Sequence, residues 1–193
     1  MKFQQKLAKR PITQWWKNSI ILCIITLFFV LLSYAQAVKA VKEYQLKAVY
    51  LFKFSKFIRW PPFAFDSQQA PIHICILGKN PFEDFDVLIR DKIVKGRSIT
   101  VEHIHDFRRA NRYHILFISK SEKGHQAAIF AYVKQYPILT VSDIKNFAAR
   151  GGMIQFVPSG RKKVQFIINR KAMQNVGIEP SANLLRVAKE IVE

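Results

Sequence analysis

Ile72-His73-Ile74-Cys75-Ile76-Leu77 is apolar at nearly every position. A strand with one wet face would alternate apolar and polar residues, so this run fits a central strand of a parallel sheet covered on both sides. Three more β-rich runs follow, at 99–103, 114–119 and 138–141, and helix-compatible stretches at 81–89, 106–111 and 121–135 separate them. Strands alternating with helices predict an α/β domain of three layers, a mostly parallel sheet with helices on both faces. A short helix over 144–149 comes next. The pattern then changes, because 152–157 and 163–168 flank Pro158-Ser159-Gly160 and read as a C-terminal antiparallel hairpin. Asn169 caps a helix through Val176, and Ser181 caps a last helix to Val192 striped by Leu184, Leu185, Ala188 and Ile191.

Ahead of the first strand, Val41, Tyr44, Ala48, Leu51, Ser55 and Ile58 recur at helical spacing, widened by Phe52, Phe54 and Phe57. Lys42, Lys53 and Lys56 fall on the opposite side. The helix is therefore packed on one face and cationic on the other, and Pro61-Pro62 ends it near Trp60.

The N-terminal 37 residues carry Lys2, Lys6, Lys9, Arg10 and Lys17, no acid, and an apolar run over 20–32 broken only by Thr26. Ser33-Tyr34-Ala35-Gln36-Ala37 follows as a small-x-small site. A spanning helix needs about 20 apolar residues, so the run reads as a signal peptide, 1–37, cleaved after Ala37. An uncleaved anchor over 19–35 is the alternative, and it leaves the rest in the same compartment. Residues 38–193 are the size of one domain. The full chain holds 31 basic and 13 acidic residues, so loss of five basic ones leaves 26 − 13 = +13. No nucleic-acid-reading pattern accompanies that charge, which points to an acidic protein face or an anionic membrane surface instead. Cys23 lies in the leader, so Cys75 has no partner for an internal disulfide; the reading is a buried, inert thiol, with an intermolecular disulfide as the alternative.

Catalytic chemistry finds little footing. The five histidines, His73, His103, His105, His114 and His125, show no HExxH spacing, and there is no GxSxG elbow or glycine-rich phosphate loop. His103 and His105 would share a strand face, yet with Asp106 after them they make a poor metal set. Asp84 and Asp86 sit where a helix start explains them. The expectation is a non-enzyme without metal or cofactor.

Binding is better supported, at three places. Ligands of doubly wound sheets settle at the carboxyl ends of parallel strands. Those ends are Gly78-Lys79-Asn80-Pro81, Ser119-Lys120-Ser121-Glu122 and Ser142-Asp143. Each leads into a helix, so they are either an anion site or simple helix caps. Arg150-Gly151-Gly152 is either a backbone nest for an anion or an ordinary chain reversal. The aromatic cluster Phe52, Phe54, Phe57, Trp60, Phe63 and Phe65 is mainly core, but Trp60, Phe63 and Phe65, with Lys53, Lys56 and Arg59, can form an exposed partner-binding patch.

These residues resemble a known family. The run from Glu43 to Pro61 looks like the opening helix of YfiR-like proteins, and Ile74-Cys75-Ile76-Leu77-Gly78-Lys79-Asn80-Pro81-Phe82 is similar to their strand and proline-phenylalanine turn. The block Ile138-Leu139-Thr140-Val141-Ser142-Asp143, then Phe147-Ala148 and Gly151-Gly152-Met153-Ile154-Gln155-Phe156, is the most specific. Val164-Gln165-Phe166-Ile167-Ile168-Asn169 and Leu184-Leu185-Arg186-Val187-Ala188 complete it. The resemblance implies a periplasmic regulator that docks on the periplasmic region of an inner-membrane signalling protein, a diguanylate cyclase or sensor kinase. Repression of a cyclase would lower cyclic di-GMP and biofilm formation. It implies no catalytic residues, and it leaves a homodimer open. Members with several cysteines differ from this chain, where Cys75 stands alone. The runner-up reading is a small-anion sensor domain feeding a membrane signalling protein.

Overall fold

The computed structural model describes residues 12–82, 84–159 and 164–193, with 12–18 and 35–40 described by backbone alone. The chain divides into two compact units, Met1–Val41 and Lys42–Glu193. Helix α1 spans Ile12–Phe57. In the first unit the large apolar side chains between Ile20 and Leu32 are exposed, and no described helix is long and apolar enough to cross a membrane. Lys2, Lys6, Lys9 and Arg10 of the expected leader, and the side chains of Ala35, Gln36 and Ala37 at its cleavage site, lie outside the described residues.

In the second unit the last part of α1 buries Ala48, Leu51, Phe54 and Ser55, the face that its spacing marks out, while Lys42, Lys53 and Lys56 are exposed. The helix stops at Phe57, before Trp60, because Ile58–Arg59 (β1) pairs antiparallel with Glu179–Pro180 (β9) and Pro61 holds the preceding residue extended. The remaining elements are β2 (Ile72–Leu77), α2 (Phe85–Ile89), β3 (Ile93–Val94), β4 (Arg97–Ile104), β5 (Ile115–Ile118), α3 (Gln126–Val133), β6 (Leu139–Ser142), β7 (Ile154–Val157), β8 (Gln165–Asn169), α4 (Arg170–Gln174), α5 (Ala182–Val187) and β10 (Glu190–Val192).

Strands run in the order β10-β8-β7-β6-β5-β2-β4-β3. The centre, β4-β2-β5-β6-β7, is parallel, and β7 with β8 forms the antiparallel hairpin; its Gly160 lies outside the described residues. Alternation along β2 separates two cores. Ile74 and Ile76 join Leu51, Phe54, Phe85 and Leu184 on one face, while Cys75 and Leu77 join Ile129, Val133 and Phe147 on the other. Both faces are covered by helices, the three-layer arrangement expected of an apolar parallel strand. Phe54 stacks on Phe156 at 5.8 Å and meets Phe166 edge-on at 5.3 Å, and a fully buried Phe or Leu contributes about 1.5–3 kcal/mol.

Several expectations need correction. The last helix ends at Val187 rather than Val192, and Glu190–Val192 forms an edge strand parallel to β8, started by Lys189 N–H donating to Phe166 O at 2.9 Å. The stretch over 144–149 is helical only as a 3-10 turn at Ala148–Arg150. The segment over 121–135 divides into a 3-10 turn, Lys120–His125, and α3, while 106–111 is 3-10 rather than α. Strand β3 has no counterpart in the sequence reading; its two-residue turn, Lys95-Gly96, has positive φ at both positions (51° and 79°), as a type I′ hairpin turn requires.

Candidate functional site

The carboxyl ends of β2, β5 and β6 come together as the parallel sheet predicts. After β2, Gly78 adopts φ 85°, and its carbonyl is bonded by the His103 ring. A Cβ there would collide with the side chains of Ser121 and Glu122, so glycine is required by both conformation and space. Lys79 N–H donates to Ser121 Oγ at 3.0 Å, and Asn80 Oδ1 accepts from Phe82 N–H at 2.9 Å. Ser119, buried, donates its backbone N–H to Leu77 O. Ser142 donates its hydroxyl to Ile118 O at 2.6 Å and accepts from Ile144 N–H at 3.1 Å. The Asn80, Ser121 and Ser142 side chains thus close the loops on themselves.

Ser121, Glu122 and His125 are adjacent, but their order is wrong for nucleophilic catalysis. Ser121 Oγ donates to Glu122 Oε1 at 2.9 Å, and His125 Nδ1 bonds the other carboxylate oxygen at 2.9 Å. A nucleophile needs the imidazole next to the hydroxyl, with the carboxylate behind it. Among the described residues no group of three metal-ligating side chains occurs.

Arg150-Gly151-Gly152 is spent on chain reversal. Gly151 N–H bonds Ala148 O at 3.2 Å, Gly152 N–H bonds Phe147 O at 3.0 Å, and a Cβ on Gly152 would enter the Phe147 ring. Neither amide is left for an anion.

The centre of the strand-end cluster is Asp143, whose side chain is 4% exposed. Its Oδ2 accepts from Lys47 Nζ at 2.6 Å and Tyr44 OH at 2.8 Å, with Lys120 Nζ at 3.4 Å. Glu43 Oε1 holds the same Lys47 at 2.6 Å. Oδ1 is buried without a partner among the described residues. Burial works to raise the Asp143 carboxyl, but the Lys47 hydrogen bond and charge, then Tyr44 and Lys120, outweigh it and hold the group below the usual carboxylate value. Burial first, and the Asp143 charge next, push the Tyr44 phenol up. The sequence reading includes Asp143 but misses Lys47 and Tyr44 as its partners. The signal is present: Lys47 stands three residues after Tyr44 and four before Leu51, on the apolar face of α1.

This clamp between α1 and the sheet begins at Tyr44, and the family model for YfiR/HmsC-like proteins (DUF4154) matches residues 44–189. The chain belongs to the YfiR/HmsC-like family. Members are periplasmic regulators of diguanylate cyclase rather than enzymes. No curated protein is detectably similar in sequence. Among solved structures, an ABC domain in complex with L-Trp from Streptococcus pneumonia is 11% identical, with a TM-score of 0.49, over 63% of this chain and 55% of that one. A conserved domain protein from Vibrio cholerae O1 biovar El Tor is 12% identical, with a TM-score of 0.44, over 62% and 54%. The chain spans about half the length of both.

In this YfiR/HmsC-like domain the patch predicted around the exit of α1 is divided. Phe63 is 77% exposed, Trp60 is buried at 8%, and Phe65 is half-buried. Arg59, exposed, pairs with Glu179 at 3.0 Å. Phe65 stacks on His114 at 4.4 Å, beneath the Arg97 guanidinium. His114 Nε2 bonds Ala64 O at 2.9 Å, and its Nδ1 accepts from His73 N–H at 3.1 Å, so the neutral imidazole fastens the loop that carries Phe63. Burial lowers the His114 pKa to about 4. Two residues before Arg59, Phe57 lines a groove of about 450 Å³ between α1 and α5, with Tyr50 and Val187 on its walls and Lys53 and Arg186 at its edge. Neither cation lies within ion-pair distance of a carboxylate among the described residues.

Proposed function

We propose that this chain is exported, loses its leader after Ala37, and represses a membrane-bound diguanylate cyclase by contact with the cyclase's periplasmic region. Cyclic di-GMP and biofilm formation fall as a result. The observation that carries this reading is the YfiR/HmsC-like match over residues 44–189. The docking surface is the exit of α1: Phe63 as an exposed aromatic anchor, Arg59 four residues before it, and the α1–α5 groove with Lys53 and Arg186. Lys56 adds charge, whereas Trp60 supports the surface from the core. Moving a cyclase from mostly active to mostly inactive needs a difference in affinity between its two states of about 5.5 kcal/mol.

A small-anion sensor at the strand ends is opposed by the Asp143 carboxylate, which already occupies the position between Lys47 and Lys120 that an incoming anion would take.

The test is a titration of the protein against the cyclase's periplasmic region. Truncated anchors cost about 2 kcal/mol or more each, so Arg59→Ala with Phe63→Ala is expected to weaken binding at least tenfold. The thermal transition should hardly move, because the Arg59–Glu179 pair is exposed and such pairs contribute under about 1 kcal/mol. Unchanged binding would discard this surface.

A further inference from the structure

A second cavity, of about 360 Å³, opens between α3 and α4 and shares no residue with the strand-end loops or the α1–α5 groove. Its volume lies within the range of small-molecule sites, about 300–1,000 Å³. The floor is fixed by the protein's own bonds. Thr140 Oγ1 accepts from Met153 N–H at 3.0 Å, and Asn169 uses its side chain on Ala148 O at 2.9 Å and on Ala172 N–H at 2.8 Å. The walls are apolar, formed by Phe130, Val133, Met153 and Val176, and the Phe130 ring is set against Phe147 at 5.2 Å.

Two lysines, Lys134 and Lys171, belong to the lining, and both are exposed. No acid lines the cavity, and neither lysine lies within ion-pair distance of a carboxylate among the described residues. Lysines without a carboxylate partner attract a ligand's acidic group while its apolar body fills the space against the walls. We propose that this cavity binds a small organic anion, an aromatic or branched aliphatic body bearing one carboxylate or similar acidic group. A fixed floor with satisfied polar atoms gives such a ligand a preorganised site, and it sets no hydrogen-bond demand on the apolar end.

The probe is 8-anilinonaphthalene-1-sulfonate, an apolar body with a single anionic group, followed by its fluorescence on the folded protein. Saturable binding is expected. Lys134→Glu with Lys171→Glu should weaken it at least tenfold with the thermal transition retained. Ala131→Trp, which narrows the opening and keeps both charges, should do likewise. Lys53→Glu with Arg186→Glu, in the other groove, should leave it within twofold. The uncharged relative N-phenyl-1-naphthylamine should bind at least tenfold more weakly. The proposal is overturned if the Lys134/Lys171 variant binds the probe as the parent does, if the Lys53/Arg186 variant loses it, or if the uncharged relative binds equally well. None of these outcomes depends on the cyclase contact.

Discussion

Lys47 and Asp143 put two opposite charges almost out of reach of water, with side chains 5% and 4% exposed. Such a pair adds little against an apolar substitute, yet removing one partner strands the other, at a cost of about 3–5 kcal/mol. Lys47→Met should therefore lower stability by that order in urea unfolding, and Lys47→Met with Asp143→Leu should recover most of it. The depressed Asp143 carboxyl stabilises the fold above the ordinary carboxylate pKa, and that contribution is lost as pH falls below it. His114 acts in a separate window. Its folded value, about 4, lies below the ordinary 6.5, so above pH 6.5 neither state takes a proton and the linkage is silent. Between pH 6.5 and 4 the unfolded chain protonates first, and stability should fall by up to about 3 kcal/mol. Unfolding free energy measured across this range should flatten in His114→Gln; an equal slope in both proteins would rule out His114 as its source.

Elements were legible wherever burial and local preference agree. The apolar run of β2 announced a central strand, and Asn169 and Ser181 cap their helices through bonds to Ala172 N–H and Leu184 N–H, as their positions suggest. Legibility failed where pairing partners decide. Leu184, Leu185, Ala188 and Ile191 fit a helical stripe, but the sheet edge at β8 captures 190–192 once Lys189 bonds Phe166. Trp60 reads as part of a possible exposed patch, yet it is buried, edge-on to Phe65 and His114. The strand-end loops follow from topology, whereas the Lys47 partner of Asp143 shows only as a lysine set on the apolar face of α1. Two outcomes belong at this scale. Gly152→Ala should destabilise by about 1–3 kcal/mol in thermal unfolding, because its Cβ enters the Phe147 ring. Cys75, fully buried in β2 and pushed up to about 12 by burial first, should resist thiol reagents until the domain unfolds; rapid native labelling would contradict that.

The whole molecule combines a strongly basic chain, +18 over its full length, with a strand-end carboxylate clamped by Lys47 and an aromatic left exposed after the first helix. A basic surface speeds encounter with an acidic partner, so salt should slow association more than dissociation, and removing Lys53 and Lys56 should reduce that dependence. Export with cleavage after Ala37 predicts an intact mass for residues 38–193, and recovery of the full chain in membranes would contradict it. Repression through contact is read out by cellular cyclic di-GMP in a strain lacking the protein and supplied with either the parent or Arg59→Ala/Phe63→Ala at equal folded abundance. The parent should lower the nucleotide, and the variant should leave it near the level of the deletion strain. Equal lowering by both would contradict it.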